Sequence, residues 1–366
     1  MSKAAELAAL IGSQTALSNR NLIINGAMNI NQRGTQTGVY TNTYGVDRFG
    51  LGGSGSQRLT YSQSTTVPSG QGFSHSLKLD VTTADTSVAA SDYEILTQRI
   101  EGQDLQHLKY GTSGAKSLTL QFWVKSPKTG IHIAEIQNAD AGYINPQPYT
   151  IASANTWQKV ELTFDGYQTT GITNDNGARF LVNWWLMAGS NYSSGTLTAN
   201  TWHNTTANRA VGQVNVMDST SNEFYITGVQ LEVGEQATAF EHRSIEDELA
   251  RCQRYYCQIV GGGEGSAANK NIANASFYTS SYVQGILQLP VTMRANPSLV
   301  HTTGSGYYGM IAGYAANTFN NFILDAFSHR NAVAIYNSGS ISGTQGDGGF
   351  LYAANASAAL GFDAEL

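Results

Sequence analysis

A hydrophobic period of two recurs along this chain, and it limits the possible folds more than any other feature. Leu77, Leu79 and Val81 alternate with polar neighbours, as do Leu118, Leu120, Phe122 and Val124. Val160, Leu162 and Phe164 follow, then Phe180, Val182, Trp184 and Leu186; Phe224 and Ile226 open a last run that continues to Leu231. Successive side chains of a strand point to opposite faces, so each run describes a strand with one buried face. Turn-rich stretches such as Gly52-Gly53-Ser54-Gly55 and Asn174-Asp175-Asn176-Gly177 lie between them. Many half-buried strands so punctuated predict an antiparallel β-sandwich of jelly-roll type. Trp123 and Trp185 fall on the opposite parity, which puts them on outer faces that are either covered or used for binding.

The composition agrees with an all-β chain. Of 366 residues, 13% are charged, about half the usual share, and 39 glycines stand against 6 prolines. Aromatic residues reach 10%, which argues for packed cores rather than disorder. The formal net charge is −6 and no Lys/Arg cluster occurs, so a nucleic-acid partner is not expected. No apolar run approaches the roughly 20 residues of a membrane span, so no membrane insertion is expected. The start, Met1-Ser2-Lys3-Ala4-Ala5-Glu6, lacks the basic and apolar regions of a signal peptide, which predicts synthesis in a cytosol. Cys252 and Cys257 read as buried, inert thiols.

Four segments follow from these patterns. Residues 1–20 form an N-terminal helical docking segment, with Ala4, Leu7, Ala8 and Ile11 on one face of a helix too short to persist alone. Residues 21–243 form the jelly-roll sandwich. Residues 244–265 form a connecting helix and a Gly-rich linker: Ser244 is the N-cap, Ile245, Leu249, Cys252 and Tyr256 share a face, and Gly261-Gly262-Gly263-Glu264-Gly265 follows. Residues 266–366 form a smaller C-terminal β tip domain. Its strands include Val283, Ile286, Leu287 and Leu289, and then Phe322, Ile323 and Leu324, but its apolar pattern is sparse enough to predict completion by partner chains.

Several segments, in order, resemble tail-fibre-type jelly-roll proteins of marine and cyanobacterial bacteriophages, whose sandwich is like that of carbohydrate-binding modules. They are Asn21 to Gly34, Tyr44-Gly45-Val46-Asp47-Arg48-Phe49, Gln98-Arg99-Ile100-Glu101-Gly102, Leu120 to Ser126, and Trp157-Gln158-Lys159-Val160. The run from Gly228 to Tyr256 is the most specific, with Leu231-Glu232-Val233-Gly234, Ala237 to Arg243 and Cys252-Gln253-Arg254-Tyr255-Tyr256. Pro290 to Ala295 and Phe362 to Leu366 extend the resemblance to the end. It implies a structural virion protein, made in the host cytoplasm and assembled into the particle as a homotrimer. The N-terminal segment would dock on other virion proteins, and the chain would contribute to adsorption on a host surface glycan. A head fibre or capsid-decorating protein and a glycan-processing tailspike enzyme are the alternatives. Modules of this shape often hold calcium through an Asp shortly before the last Leu-Glu; here Tyr225 to Gln230 contains no acid.

The search for catalytic chemistry predicts no catalytic residue, no metal and no cofactor. Gly50-Leu51-Gly52-Gly53-Ser54-Gly55 has G-x-G-x-x-G spacing but precedes a strand-like stretch, not a helix, and reads as a turn. Asp80, Asp85, Asp92 and Glu94 are close in sequence and read as solvated turn acids rather than a glycosidase pair. Trp185 and Trp202 are the candidate sugar platforms, one from Trp184-Trp185 and one from Trp202-His203. In the tip, Tyr307 and Tyr308 sit among Gly and Ser and are the candidate receptor contacts, with a place in a trimer core as the equal alternative.

Overall fold

The computed structural model describes residues 19–313 and 315–366. The predicted docking helix with Ala4, Leu7, Ala8 and Ile11 lies outside the described residues. The chain is mostly β, with 42% in strands and 8% helical. It divides into two compact units: residues up to Asn29 with Gln36–Ser244, and Ile30–Thr35 with Ile245–Leu366.

The first unit is a sandwich of two six-stranded sheets. Its strands are β1 (Gln36–Val39), β2 (Thr43–Tyr44), β3 (Gly50–Ser54), β4 (Arg58–Ser64), β5 (Ser76–Thr83), β6 (Tyr93–Glu101), β7 (Leu118–Lys125), β8 (Gly130–Asn138), β9 (Tyr143–Ile151), β10 (Gln158–Phe164), β11 (Ala178–Ala188) and β12 (Glu223–Val233). One sheet has the order β1-β4-β5-β12-β7-β10 and the other β2-β3-β6-β11-β8-β9. From β5 to β12 every step except β8–β9 changes sheet, so the core joins residues far apart in sequence. The alternating runs read from the sequence supply it. Leu77, Leu120, Phe122 and Phe224 of the first sheet pack in one cluster with Leu96, Ile136, Val182 and Trp184 of the second. Phe122 and Trp184 meet edge to face at 5.8 Å. Pro146 and Pro148 lie in β9, an edge strand, where a missing N–H interrupts no central ladder.

Gly50 to Ser54 corrects the reading of this stretch as a turn. It is strand β3, paired with β6 from Gly50 opposite Thr97 to Ser54 opposite Tyr93. Glycine is disfavoured in strands on its own, but here a neighbouring strand supplies the ladder, and close approach excludes side chains. A Cβ on Gly53 would lie 2.7 Å from the Tyr40 carbonyl oxygen.

Among the described residues the second unit contains an α-helix, α1 (Ile245–Gln253), a short 3-10 turn, Gly262–Glu264, and two sheets. Its strands are β13 (Tyr256–Val260), β14 (Lys270–Thr279), β15 (Tyr282–Gln288), β16 (Ser298–His301), β17 (Tyr308–Ala312), β18 (Ala315–Phe319), β19 (Ile323–Leu324), β20 (Ala332–Ser338), β21 (Gly348–Ala353) and β22 (Leu360–Asp363). The sheets run β13-β22-β16 and β18-β17-β21-β14-β15-β20-β19. Two expectations are revised here. Tyr256 is not helical: it pairs with Asp363 and is buried, with the Arg33 guanidinium 3.6 Å from its ring centroid. The Gly261–Gly265 run is not a linker before a separate tip; it belongs to this unit, and the Gly263 N–H donates to the Gln32 carbonyl at 2.8 Å. The unit closes a core of its own around Phe277, Val283, Met310, Phe322, Leu351 and Phe362. Cys252 and Cys257 are buried and not joined in a disulfide.

Candidate functional site

The outer face of the second sheet carries the candidate site, and strand register builds it. Asn183 on β11 lies between Glu135 on β8 and Thr97 on β6, and Thr97 faces Gly50 on β3. The next row places Trp185 beside Ile95, and Ile95 beside Gly52. On the other side, Leu181 lies between Gln137 and Arg99. Because Phe180, Val182 and Trp184 take the core, period two sends Leu181, Asn183 and Trp185 outward. The β3 glycines present no side chain to this face, and a groove of about 250 Å³ remains, lined by residues of all these rows.

A loop after β11 forms the wall. Tyr192 sits in a single helical turn, Ser190–Ser193, and its carbonyl accepts the Ala210 N–H at 2.9 Å. That bond fastens the turn to the segment bearing Arg209. Tyr192 lies 5.2 Å from Tyr93 and 5.4 Å from Trp185, centroid to centroid. The Arg209 guanidinium stands 5.1 Å from the Trp185 ring centroid and forms an ion pair with the fully buried Glu135, with Nε 3.2 Å from Oε2. Burial alone would lower the Arg209 pKa, but the Glu135 carboxylate more than offsets this and holds it above its ordinary value. Burial and the neighbouring Tyr93 raise the Tyr192 pKa, so its hydroxyl remains a neutral donor.

Among the described residues, the buried lining atoms Thr97 Oγ1, Asn183 Oδ1 and Trp185 Nε1 have no hydrogen-bond partner. Thr97 is 3% exposed, while Asn183 and Trp185 are each 1% exposed. A buried polar atom left unmatched costs about 1–3 kcal/mol. Hydroxyls both donate and accept, so a polyhydroxylated ligand suits a lining of mixed polar groups.

The candidates named from the sequence fare differently. Trp185 is in the site but is not an exposed platform; Ile133, Ala210, Tyr93 and Tyr192 enclose its ring. The half-buried Tyr93 and Tyr192 are the accessible aromatics, and no periodic signal marked them. Trp202 is half-buried against Tyr110 and Tyr167, and its indole N–H donates to the Asp165 carbonyl at 2.7 Å. It closes an edge of the core rather than offering a face. Tyr308 is fully buried in the second unit, and Tyr307 packs half-buried beside that core, so Tyr308 is no receptor contact. Among the described residues, the exposed aromatics of the second unit are Tyr278, 71% exposed, and Phe327, 90% exposed. They line a shallow recess with Tyr282, Gln284 and Asp325. Trp123 is half-buried, and the outer face around it carries Phe73 and Phe240, which meet edge to face at 5.1 Å. Asp85 and Glu94 are buried, not solvated: Asp85 accepts from the Ser56 and Ser87 N–H groups, and Glu94 from the Gln57 amide at 2.7 Å. Among the described residues no three His, Cys, Asp or Glu side chains are grouped to hold a metal ion.

The first unit is thus an antiparallel β-sandwich with an aromatic and polar groove on one outer face. No family model and no curated protein matches the chain. Among solved structures, the enzymatically active domain of bacteriophage CBA120 tailspike protein 4 is similar at 16% identity and a TM-score of 0.31, covering 59% of this chain and 22% of that one. A putative sugar-binding protein from Bacteroides thetaiotaomicron is similar at 13% identity and a TM-score of 0.31, covering 58% of this chain and 100% of that one. The family 11 carbohydrate-binding module from Clostridium thermocellum, in complex with a mixed-linked tetrasaccharide, is similar at 12% identity and a TM-score of 0.28, with 57% and 98% covered.

Proposed function

We propose that this chain is a saccharide-binding structural protein of a bacteriophage particle, a tail fibre or tail appendage that attaches to host surface glycan through the second-sheet groove. The observation that carries the binding is the convergence of Tyr93, Tyr192 and Trp185 with three unmatched polar atoms in one recess. A sugar ring offers C–H groups on its faces and hydroxyls at its rim, and this lining matches both. We read the groove as non-catalytic. Glycoside cleavage generally uses a pair of carboxyl groups across the bond, and no carboxylate is among the lining residues. The virion role rests on the ordered run of fibre-like segments, and with it the homotrimer.

Retention of the full chain on host envelope polysaccharide tests the binding. Tyr192→Ala should weaken it about tenfold, the equivalent of ~1.4 kcal/mol. Undiminished retention would remove the groove from the proposal. Release of oligosaccharide in the same mixture would replace binding by hydrolysis. Immunolabelled micrographs should place the protein on the tail; label on the capsid would make it a head fibre, and unlabelled particles would end the virion reading. A stable monomer by light scattering would overturn the trimer.

A further inference from the structure

We infer that the second unit carries a binding site of its own, in which Tyr278, Tyr282, Phe327 and Asp325 take a quaternary methylammonium group such as that of choline. The four line one shallow recess of about 530 Å³ together with Gln284 and hydroxyl side chains. The site does not depend on the saccharide groove, which belongs to the first unit.

Strand register builds the recess. Val283 and Ile335 enter the core, so period two turns Tyr282 and Gln284 on β15 and Tyr336 on β20 outward. Tyr336 stands opposite Gln284, and its ring stacks on that of Tyr282 at 4.9 Å and 15°. The register of β14 against β15 shifts between Phe277 and Thr279, and Tyr278, the residue within the shift, is 71% exposed. Such a bulge re-aims a side chain, and the Tyr278 ring meets that of Tyr282 at 5.7 Å and 66°. Just after β19, the Asp325 carboxylate accepts the Phe327 N–H at 2.9 Å and the Gln284 amide at 3.1 Å. These bonds tie Asp325 to the sheet and leave Phe327 uncovered, 90% exposed.

Charge decides the class of ligand. The lining has three aromatic rings and one carboxylate, with no Lys, Arg or His. Among the described residues Asp325 makes no ion pair. Aromatic faces are negative, so the rings and the carboxylate together attract a cation, whereas a neutral sugar or an aliphatic chain gains nothing from the carboxylate. Each Asp325 oxygen already accepts an N–H, so the carboxylate offers its field more than free acceptors. A quaternary ammonium has no N–H to satisfy, whereas a primary ammonium brings three donors and strong hydration.

The test is calorimetry on the full chain with choline chloride and with its neutral isostere, in which a tert-butyl group replaces the trimethylammonium. Choline should bind at least about tenfold more tightly than the isostere. Phe327→Ala should weaken choline binding about threefold, and Asp325→Asn should bring choline level with the isostere. Equal binding of the two by the unaltered protein would make the recess merely apolar and overturn the inference, as would binding of neither. Tighter binding of ethanolamine, the unmethylated form, would overturn the methylammonium assignment. Unchanged affinity in both Phe327→Ala and Tyr278→Ala would place any bound choline elsewhere and overturn the site. Should Asp325→Asn fail to fold, the isostere comparison still decides the question with the unaltered protein. Once free choline binds, cosedimentation with phosphatidylcholine vesicles would support a lipid as its source, and vesicles left behind would support a soluble or glycan-borne choline.

Discussion

Tyr308 lies in the middle of the second unit's core, with its hydroxyl 2.9 Å from the Thr302 carbonyl and 2.7 Å from that of Ala359. Removing it would empty a large volume and take a donor from the Thr302 carbonyl, while the Ala359 carbonyl keeps the Thr302 N–H at 3.0 Å. Tyr308→Ala should therefore cost about 3–5 kcal/mol in denaturant titration, whereas Phe327→Ala, at an exposed position, should change stability by no more than about 0.5 kcal/mol. Equal effects of the two would contradict the assignment of core and surface. Glu94 makes a different residue-scale prediction. Burial holds its carboxyl well above the usual range, against the opposing Gln57 hydrogen bond. A raised carboxyl pKa contributes stability that is complete below the unfolded value and is lost as pH rises through the folded one. Glu94→Gln should match the parent near pH 4 and melt at a higher temperature near pH 8. A constant difference between the two across that range would show that Glu94 does not titrate as its burial requires.

At the scale of elements, strand β3 links backbone economy to the groove. Gly52 lines it, and a Cβ there would meet only the Ile95 side chain, at 3.3 Å. Gly53 instead faces the Tyr40 carbonyl and the Glu94 carboxyl, the latter at 2.4 Å from an added Cβ. Gly52→Val should fold and lose polysaccharide retention; Gly53→Val should fail to fold or melt far below the parent. If Gly52→Val bound normally, the groove floor would be misassigned. Strand β8 carries His132, stacked on Tyr149 at 5.4 Å with Nε2 3.1 Å from the Lys128 carbonyl oxygen. Burial lowers its pKa to about 4. A neutral buried imidazole gives stability that is lost as pH falls from about 6.5 toward 4, at most about 3 kcal/mol. Urea titrations across that interval should show the loss in the parent and a smaller one in His132→Gln; parallel curves would refute it.

For the whole molecule, chain order and unit boundaries do not coincide. The second unit includes Ile30–Thr35 from near the start of the chain. Within that unit Arg33 pairs with Asp363 at 2.9 Å and Glu365 at 3.5 Å, and the Gln32 side-chain amide donates to the Tyr256 carbonyl at 2.7 Å. A fragment of residues 245–366 lacks these partners, so it should unfold at lower denaturant than the same unit in the full chain. A fragment of undiminished stability would show the inserted segment to be dispensable. The same contacts give the terminal Phe362 to Leu366 run a structural role. The Arg294 Nε donates to the Ala364 carbonyl at 2.8 Å, and the Ala364 N–H to that of Tyr255 at 2.7 Å.

The segments from Asn21 to Gly34, Tyr44 to Phe49 and Gly228 to Arg243 are scaffold. Asn21 Oδ1 accepts the N–H groups of Ile23 and Leu231, each at 3.0 Å, and Glu241 accepts those of Asn19 and Asn21. Asn25, Met28 and Arg48 take positive φ, and a Cβ on Gly26 would lie 2.0 Å from the Val229 carbonyl oxygen. Segments that specify backbone geometry so closely are readable from the sequence, as are strands such as β5, β7 and β11, because alternation is a local pattern. The groove is not local. Thr97, Asn183, Tyr192 and Arg209 come from separate stretches, and only register and a loop return bring them together. The sequence by itself determined strands such as β5, β7 and β11 and which face of each enters the core. Tertiary structure alone decided which strands are neighbours, that Trp185 is enclosed while Tyr93 and Tyr192 are reachable, and that β3 is a strand. Each of those outcomes depends on what stands across the sheet, and residues that become sheet neighbours leave no mark of that proximity in a single sequence.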